Sequence, residues 1–282
     1  DAMINQSIIS RKKLNVGTSA VNLDIPIKEK VDYRYALVIG NEDYTSKQTD
    51  LSAEQNVPYA INDANIFREY ALKTLGVKEE HMYDIIDATS VEMQKAIALI
   101  SGILKAHGSE AELIVYYAGH GQPDENTHVP YLIPVDVNAK DFIGAIKLDD
   151  IYRDLSATGA NRIIIFLDAC FTGGARGDGL MASRGVTVEP RRDGELSGNL
   201  LVFSASSGKE SSLAYDKEEH GIFTYYLLKK LQESDGDVSM GALADYLTYT
   251  VPLESLKINE KNQNPVIRVS SEVENNWRNW TF

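Results

Sequence analysis

The chain has 282 residues, 43% of them hydrophobic and 24% charged, with 20 Gly and 8 Pro, a composition of ordinary folded protein that excludes collagen-like, coiled-coil and disordered chains. Its single cysteine, Cys170, excludes a disulfide framework, and its longest apolar runs, Leu113–Tyr117 and Ile163–Leu167, fall far short of the ~20 residues that cross a bilayer, so no membrane span is expected. With 28 Lys and Arg against 41 Asp and Glu, the net charge of −13 opposes nonspecific attraction to nucleic acid and to anionic membranes, and favours a basic peptide or a divalent cation.

Residues 1–33 alternate weakly (Val21, Leu23, Ile25, Ile27) and close on the charged stretch Lys28–Asp32, which reads as an extension or a linker from an upstream domain. From Tyr35 onward, short apolar runs alternate with helix-period segments, the signature of a βαβ chain with a mostly parallel sheet. Strands are predicted near 35–40, 82–87, 112–118, 162–168, 200–205 and 265–269. Between them, 57–75 carries Ala60, Ala64, Phe67, Ala71 and Leu75 on one helical face, and 90–106 carries Met93, Ile97, Ile100 and Leu104. Thr89 and Glu92 fit a capping box for the second helix. Further helices are expected at 148–156, 221–233 and 239–250, the last opened by a Ser239 cap. The run Arg162–Leu167 is apolar without alternation, as expected for a strand buried on both sides. Residues 171–198 break the pattern, with seven Gly and the four arginines Arg176, Arg184, Arg191 and Arg192 where a crossover helix belongs. A connection of that length without periodicity is usually functional or flexible.

Open α/β sheets bind ligands beyond the carboxyl ends of their strands. The third strand runs out into Ala118-Gly119-His120-Gly121, and the fourth into Asp168-Ala169-Cys170-Phe171-Thr172-Gly173-Gly174. Adjacent parallel strands would deliver His120 and Cys170 to one edge, and the flanking glycines let a substrate backbone approach. A thiol is a strong nucleophile only as thiolate, and an imidazole that takes its proton is the simplest activator. Singly, Cys170 reads equally as a buried core thiol and His120 as a structural histidine; together at successive strand ends they read as a nucleophile and its base. A metal site built from His120, Cys170 and Asp168 lacks a fourth ligand at any usual spacing.

Tyr116-Tyr117-Ala118-Gly119-His120-Gly121 and Asp168-Ala169-Cys170-Phe171-Thr172-Gly173-Gly174 resemble the histidine and cysteine motifs of the caspase-like cysteine peptidases, closest to the metacaspase branch. The likeness runs from about Tyr35 to Val269 and includes the opening strand Tyr35–Asn41 and the Asn62-Asp63-Ala64 segment. It implies one caspase-like peptidase domain over 34–282, a three-layer α/β sandwich with a mostly parallel six-stranded sheet and helices on both faces. It implies Cys170 as nucleophile, His120 as base, and the N–H groups of Gly121 and Cys170 as oxyanion donors. Asp168 and, by resemblance to metacaspases, Asp63 would floor a primary pocket for Arg or Lys, because paired carboxylates attract a cation and repel aspartate. Each also has a plainer reading: Asp168 as an orienter of the cysteine loop, and Asp63 as an acid in a helix's first turn. Arg176, Arg184, Arg191 and Arg192 match that specificity and are candidate self-cleavage sites.

No further cofactor is required for the chemistry. Calcium activation is the remaining implication, with Asp136, Asp149, Asp150 and Asp178 near the positions where calcium-dependent metacaspases place acidic ligands. Asp149 and Asp150 fit an ordinary helix start equally well. The chain departs from true caspases at Asp168-Ala169-Cys170, where they carry Gln-Ala-Cys, and from common metacaspases at Ala118, Ala169 and Phe171. An endopeptidase acting on peptide or protein substrates is therefore the leading expectation. The alternative is a noncatalytic caspase-like interaction or signalling module, whose usual mark would be loss of one member of the His/Cys pair. A nucleotide-binding protein would need a phosphate-cradling glycine loop, and Gly40-Asn41-Glu42-Asp43-Tyr44 places two acids there instead.

Overall fold

The computed structural model describes residues 19–282 except 50, 52, 125, 139–141, 172–195 and 208–209. The continuous apolar run predicted to open the domain forms β1 (Arg34–Gly40), every residue of which is buried. α1 (Ala60–Lys73) follows, then β2 (Met82–Ile86) and α2 (Ser90–His107). α2 starts at the expected capping box, with Thr89 and Glu92 each bonding the other's backbone N–H. β3 (Glu112–Ala118) leads into a small antiparallel unit of β4 (Gly121–Pro123), β5 (Pro130–Leu132) and β6 (Ile146–Lys147). α3 (Leu148–Ser156), β7 (Arg162–Asp168) and β8 (Leu200–Ser204) come next, then the two-residue strands β9 (Ala214–Tyr215) and β10 (His220–Gly221). α4 (Ile222–Glu233), α5 (Met240–Asn259) and β11 (Val266–Val269) complete the core elements.

The six-stranded sheet has the order β11-β8-β7-β3-β1-β2, parallel except where β11 runs antiparallel to β8. Alternating side chains feed two layers. Ala36, Val38, Ile114, Tyr116, Ile164 and Phe166 pack with Phe67 of α1, Leu227 of α4 and Leu247 of α5. Leu37, Ile39, Val115, Tyr117, Ile165 and Leu167 pack with Met93 and Ile100 of α2 and Ile151 of α3. The result is the expected three-layer α/β sandwich, each fully buried large side chain contributing roughly 1.5–3 kcal/mol. Helix α5 departs from expectation by running on through Pro252 to Asn259. Leu247, Val251 and Ser255 are buried at four-residue intervals, and that packing outweighs the one hydrogen bond the proline removes.

Residues 19–33 lie against α1 and α4: Tyr70 donates to the Val21 carbonyl at 2.8 Å, and Gln232 to that of Leu23 at 2.6 Å. Because β1 is flanked by β2 on one side and β3 on the other, the chain reverses its winding direction there, and the Asn41 N–H donates to the Ala118 carbonyl at 2.8 Å across the carboxyl ends of β1 and β3. Gly40 closes β1 where α1 crosses it. A β-carbon on Gly40 would fall 2.6 Å from Ala64 Cβ and 2.7 Å from the Ala60 carbonyl oxygen. Gly40→Ala is accordingly expected to cost about 1–3 kcal/mol, read as a lower urea midpoint with unchanged slope.

Candidate active site

The register sets the site. Ala118 at the end of β3 pairs with Asp168 at the end of β7, and the Gly119 N–H donates to the Asp168 carbonyl at 3.3 Å. The chain therefore leaves the sheet with His120 and Cys170 on neighbouring paths. Gly121 permits the approach, since a β-carbon there would lie 2.8 Å from the Cys170 carbonyl oxygen and 2.6 Å from the Phe171 ring. The Ile133 N–H donates to the His120 carbonyl at 3.0 Å, which makes Gly121 and Leu132 a wide, non-hydrogen-bonded pair and turns the Gly121 N–H away from β5.

His120 is 2% exposed and held on every side. Its N–H donates to Tyr44 Oη at 2.9 Å, and its carbonyl also accepts from Tyr117 Oη at 2.7 Å. The Tyr44 ring packs on the imidazole with centroids 4.4 Å apart. Nε2 lies 2.7 Å from the Gln55 carbonyl oxygen. A carbonyl only accepts, so Nε2 carries the hydrogen and, in the neutral ring, Nδ1 is the basic nitrogen. Burial pushes the imidazole down to about 4, partly offset by the Gln55 hydrogen bond, so the ring is neutral and able to accept a proton at pH 7.

Cys170 is also buried, and both backbone groups of Ser212 meet its sulfur: the Ser212 N–H donates to Sγ at 2.6 Å, and Sγ lies 3.6 Å from the Ser212 carbonyl, to which the thiol donates. Ser212 Oγ donates to Asp168 as well, and Thr224 Oγ1 donates to the other oxygen of that carboxylate at 2.6 Å. The nucleophile candidate and the carboxylate two residues before it thus share one clamp. Asp63, fully buried near the start of α1, meets His220 Nδ1 at 2.7 Å and accepts from the Gly221 N–H at 3.0 Å. His220 Nε2 reaches Asn22 Oδ1 at 2.8 Å. Asp63 and Asp168 therefore both engage residues at or entering α4.

Two of the acidic residues considered for calcium have described partners. Asp136 accepts from the Ser90 N–H at 2.7 Å and so caps α2, while Asp149 and Asp150 sit in the first turn of α3, Asp150 pairing with Arg153 at 2.7 Å. Among the described residues, no group of three or more His, Cys, Asp or Glu is arranged to hold a metal ion. Asp178 and the arginines Arg176, Arg184, Arg191 and Arg192 lie outside the described residues. No described helix is long and apolar enough to cross a membrane.

Sequence reasoning missed Gln55, Tyr44, Ser212, Thr224 and His220. Gln55 acts through a carbonyl that every residue possesses and leaves no signature. His220 did leave one: His220-Gly221 repeats the His120-Gly121 pairing of imidazole and glycine.

A histidine and a cysteine thus follow the carboxyl ends of the adjacent parallel strands β3 and β7. The chain belongs to the caspase-domain family, whose sequence model matches residues 33–275, and that family consists of cysteine peptidases. Two solved structures share the fold. Caspase-1 from Spodoptera frugiperda aligns at 17% identity over 87% of this chain and 89% of its own, with a TM-score of 0.60. Protein GSU0716 from Geobacter sulfurreducens aligns at 17% identity over 88% of this chain and 97% of its own, with a TM-score of 0.62. No individual curated protein matches the sequence significantly.

Proposed function

We propose that this chain is a cysteine endopeptidase of metacaspase-like type that cleaves after Arg or Lys, with Cys170 as nucleophile and His120 as base. The observation that carries this reading is the pairing of Ala118 with Asp168, which brings His120 and Cys170 out of the sheet side by side. His120 Nδ1 takes the thiol proton, and the sulfur attacks the scissile carbonyl and forms an acyl-enzyme. The same imidazole returns the proton to the leaving amine, and water then hydrolyses the thioester. The Gly121 N–H, turned away from β5, and the Cys170 N–H are the oxyanion donors of this reading.

Specificity rests on Asp168. Its carboxylate, held by Ser212 and Thr224, is the group this reading offers to the guanidinium or ammonium of the substrate, because a carboxylate attracts a cation and repels aspartate. Asp63 adds a second buried carboxyl group from α1, held by His220 and the Gly221 N–H. Self-processing at Arg176, Arg184, Arg191 or Arg192 follows from the same preference. Calcium activation is kept as part of this reading through Asp136, Asp149, Asp150 and Asp178, the last outside the described residues.

A fluorogenic panel with Arg, Lys or Asp at the cleaved position, run in chelator and again in millimolar calcium, tests the proposal. Arg and Lys substrates are expected to be hydrolysed and Asp substrates spared. Asp168→Asn is expected to lower kcat/KM for Arg substrates by roughly 100-fold. Efficient cleavage after Asp with none after Arg would overturn the specificity, and equal rates in chelator and calcium would remove calcium activation.

A further inference from the structure

We propose that Asn56 is a positioning residue for His120: it ties the turn that carries Gln55 to the loop after β1, and so holds the Gln55 carbonyl against Nε2. This rests on the reading of His120 as the base. Asn56 Oδ1 accepts from the N–H groups of both Tyr44 and Thr45, at 3.0 and 3.1 Å, and Asn56 Nδ2 donates to Thr45 Oγ1 at 3.2 Å. One side chain thus makes three bonds to two consecutive loop residues. The adjoining backbone adds a bond from the Val57 N–H to the Glu42 carbonyl at 3.1 Å.

The loop that Asn56 grips is itself anchored. Glu42 and Asp43 both donate their N–H groups to Asp87 Oδ1 at 2.9 Å, and Gln48 Nε2 donates to the carbonyls of Val135 and Val137 at 2.9 and 3.0 Å. The same loop supplies Tyr44, whose hydroxyl receives the His120 N–H and whose ring packs on the imidazole. The two halves of His120 are therefore referenced to one rigid segment, the peptide through Tyr44 and the imidazole through Asn56 and Gln55.

Without Asn56 the turn loses three bonds to the loop after β1, and the Gln55 carbonyl is no longer held as firmly in place. Nε2–H then has no designated acceptor, and the ring is free to rotate or to exchange tautomers, which takes the basic nitrogen away from its working position. Loss of an orienting partner of this kind typically costs 10–100-fold. The expected signature is a fall in kcat with KM nearly unchanged, because Asn56 touches the histidine's support and no part of the substrate.

The test follows Cys170 alkylation by iodoacetamide as a function of pH, quantified by mass spectrometry in wild type, His120→Ala, Asn56→Ala and Asn56→Asp, alongside kcat and KM on the Arg substrate. Asn56→Ala is expected to move the alkylation profile at least half of the way toward that of His120→Ala and to lower kcat roughly 10–100-fold. Asn56→Asp keeps the oxygen that receives both N–H groups and is expected to restore the wild-type profile. If the alanine variant does not fold, Asn56→Ser replaces it with the same expected direction. An alkylation profile identical to wild type in the truncated variant, or equal damage from Asn56→Asp, would overturn the assignment. Absence of peptidase activity in the wild type would instead sink the peptidase reading, and the alkylation profiles would still decide the role of Asn56.

Discussion

Cys170→Ala is expected to lower peptide hydrolysis by roughly 10⁴-fold or more, the scale seen when a covalent nucleophile is removed, while the protein remains folded. The sulfur is buried, accepts the Ser212 N–H and donates to the Ser212 carbonyl, so its removal leaves a small gap and costs both of these bonds, a loss of about 1–3 kcal/mol that a urea titration resolves. Wild type stored at neutral pH should accumulate fragments ending at Arg176, Arg184, Arg191 or Arg192, and the alanine variant should not. Equal fragmentation of the two proteins would remove self-cleavage, and retention of most of the hydrolysis would remove Cys170 as nucleophile.

The second large effect is set by acid. Burial lowers His120 to about 4 in the folded protein, against an ordinary 6.5 in the unfolded chain. Between those values the unfolded chain binds a proton that the folded protein refuses, so stability falls as pH drops from 6.5 toward 4; above 6.5 both states hold the ring neutral and His120 contributes no pH dependence. The full difference corresponds to roughly 3 kcal/mol. In urea titrations at pH 7 and pH 4, wild type is expected to lose that much more than His120→Gln, which has no ring to protonate. Activity follows the same group, and the acidic limb of kcat/KM is expected below the ordinary histidine range, toward 4. A limb centred on 6.5, with equal acid sensitivity in wild type and His120→Gln, would show an imidazole open to water.

The long elements of the sheet were legible because their signals are dense. β1, β3 and β7 are near-continuous apolar runs, and α3 has its predicted bounds because Leu148, Ile151, Tyr152 and Leu155 bury one helical stripe. Strands β4, β5, β6, β9 and β10 have three residues or fewer, too short for any period to register. That His120 and Cys170 follow neighbouring strand ends was legible because each comes within two residues of the end of a dense apolar run. Their supports were not. The Gln55 carbonyl is backbone, and the Ser212 clamp on Cys170 spans 42 positions. Asp63 and His220 meet across 157 positions, so no local pattern could join them. Asp136, which the family resemblance offered as a calcium ligand, accepts from the N–H of Ser90 at the start of α2, a contact across 46 positions that no local pattern signals.

The central claim, that His120 and Cys170 form a working nucleophilic pair, is tested most directly by covalent capture with a peptidyl-arginine chloromethyl ketone. Intact mass and peptide mapping should show one adduct per chain, located on Cys170, formed in wild type and strongly slowed in His120→Ala. A folded wild-type protein that acquires no adduct on Cys170, or one that His120→Ala acquires equally fast, would contradict the account and favour a caspase-like module that binds without cleaving.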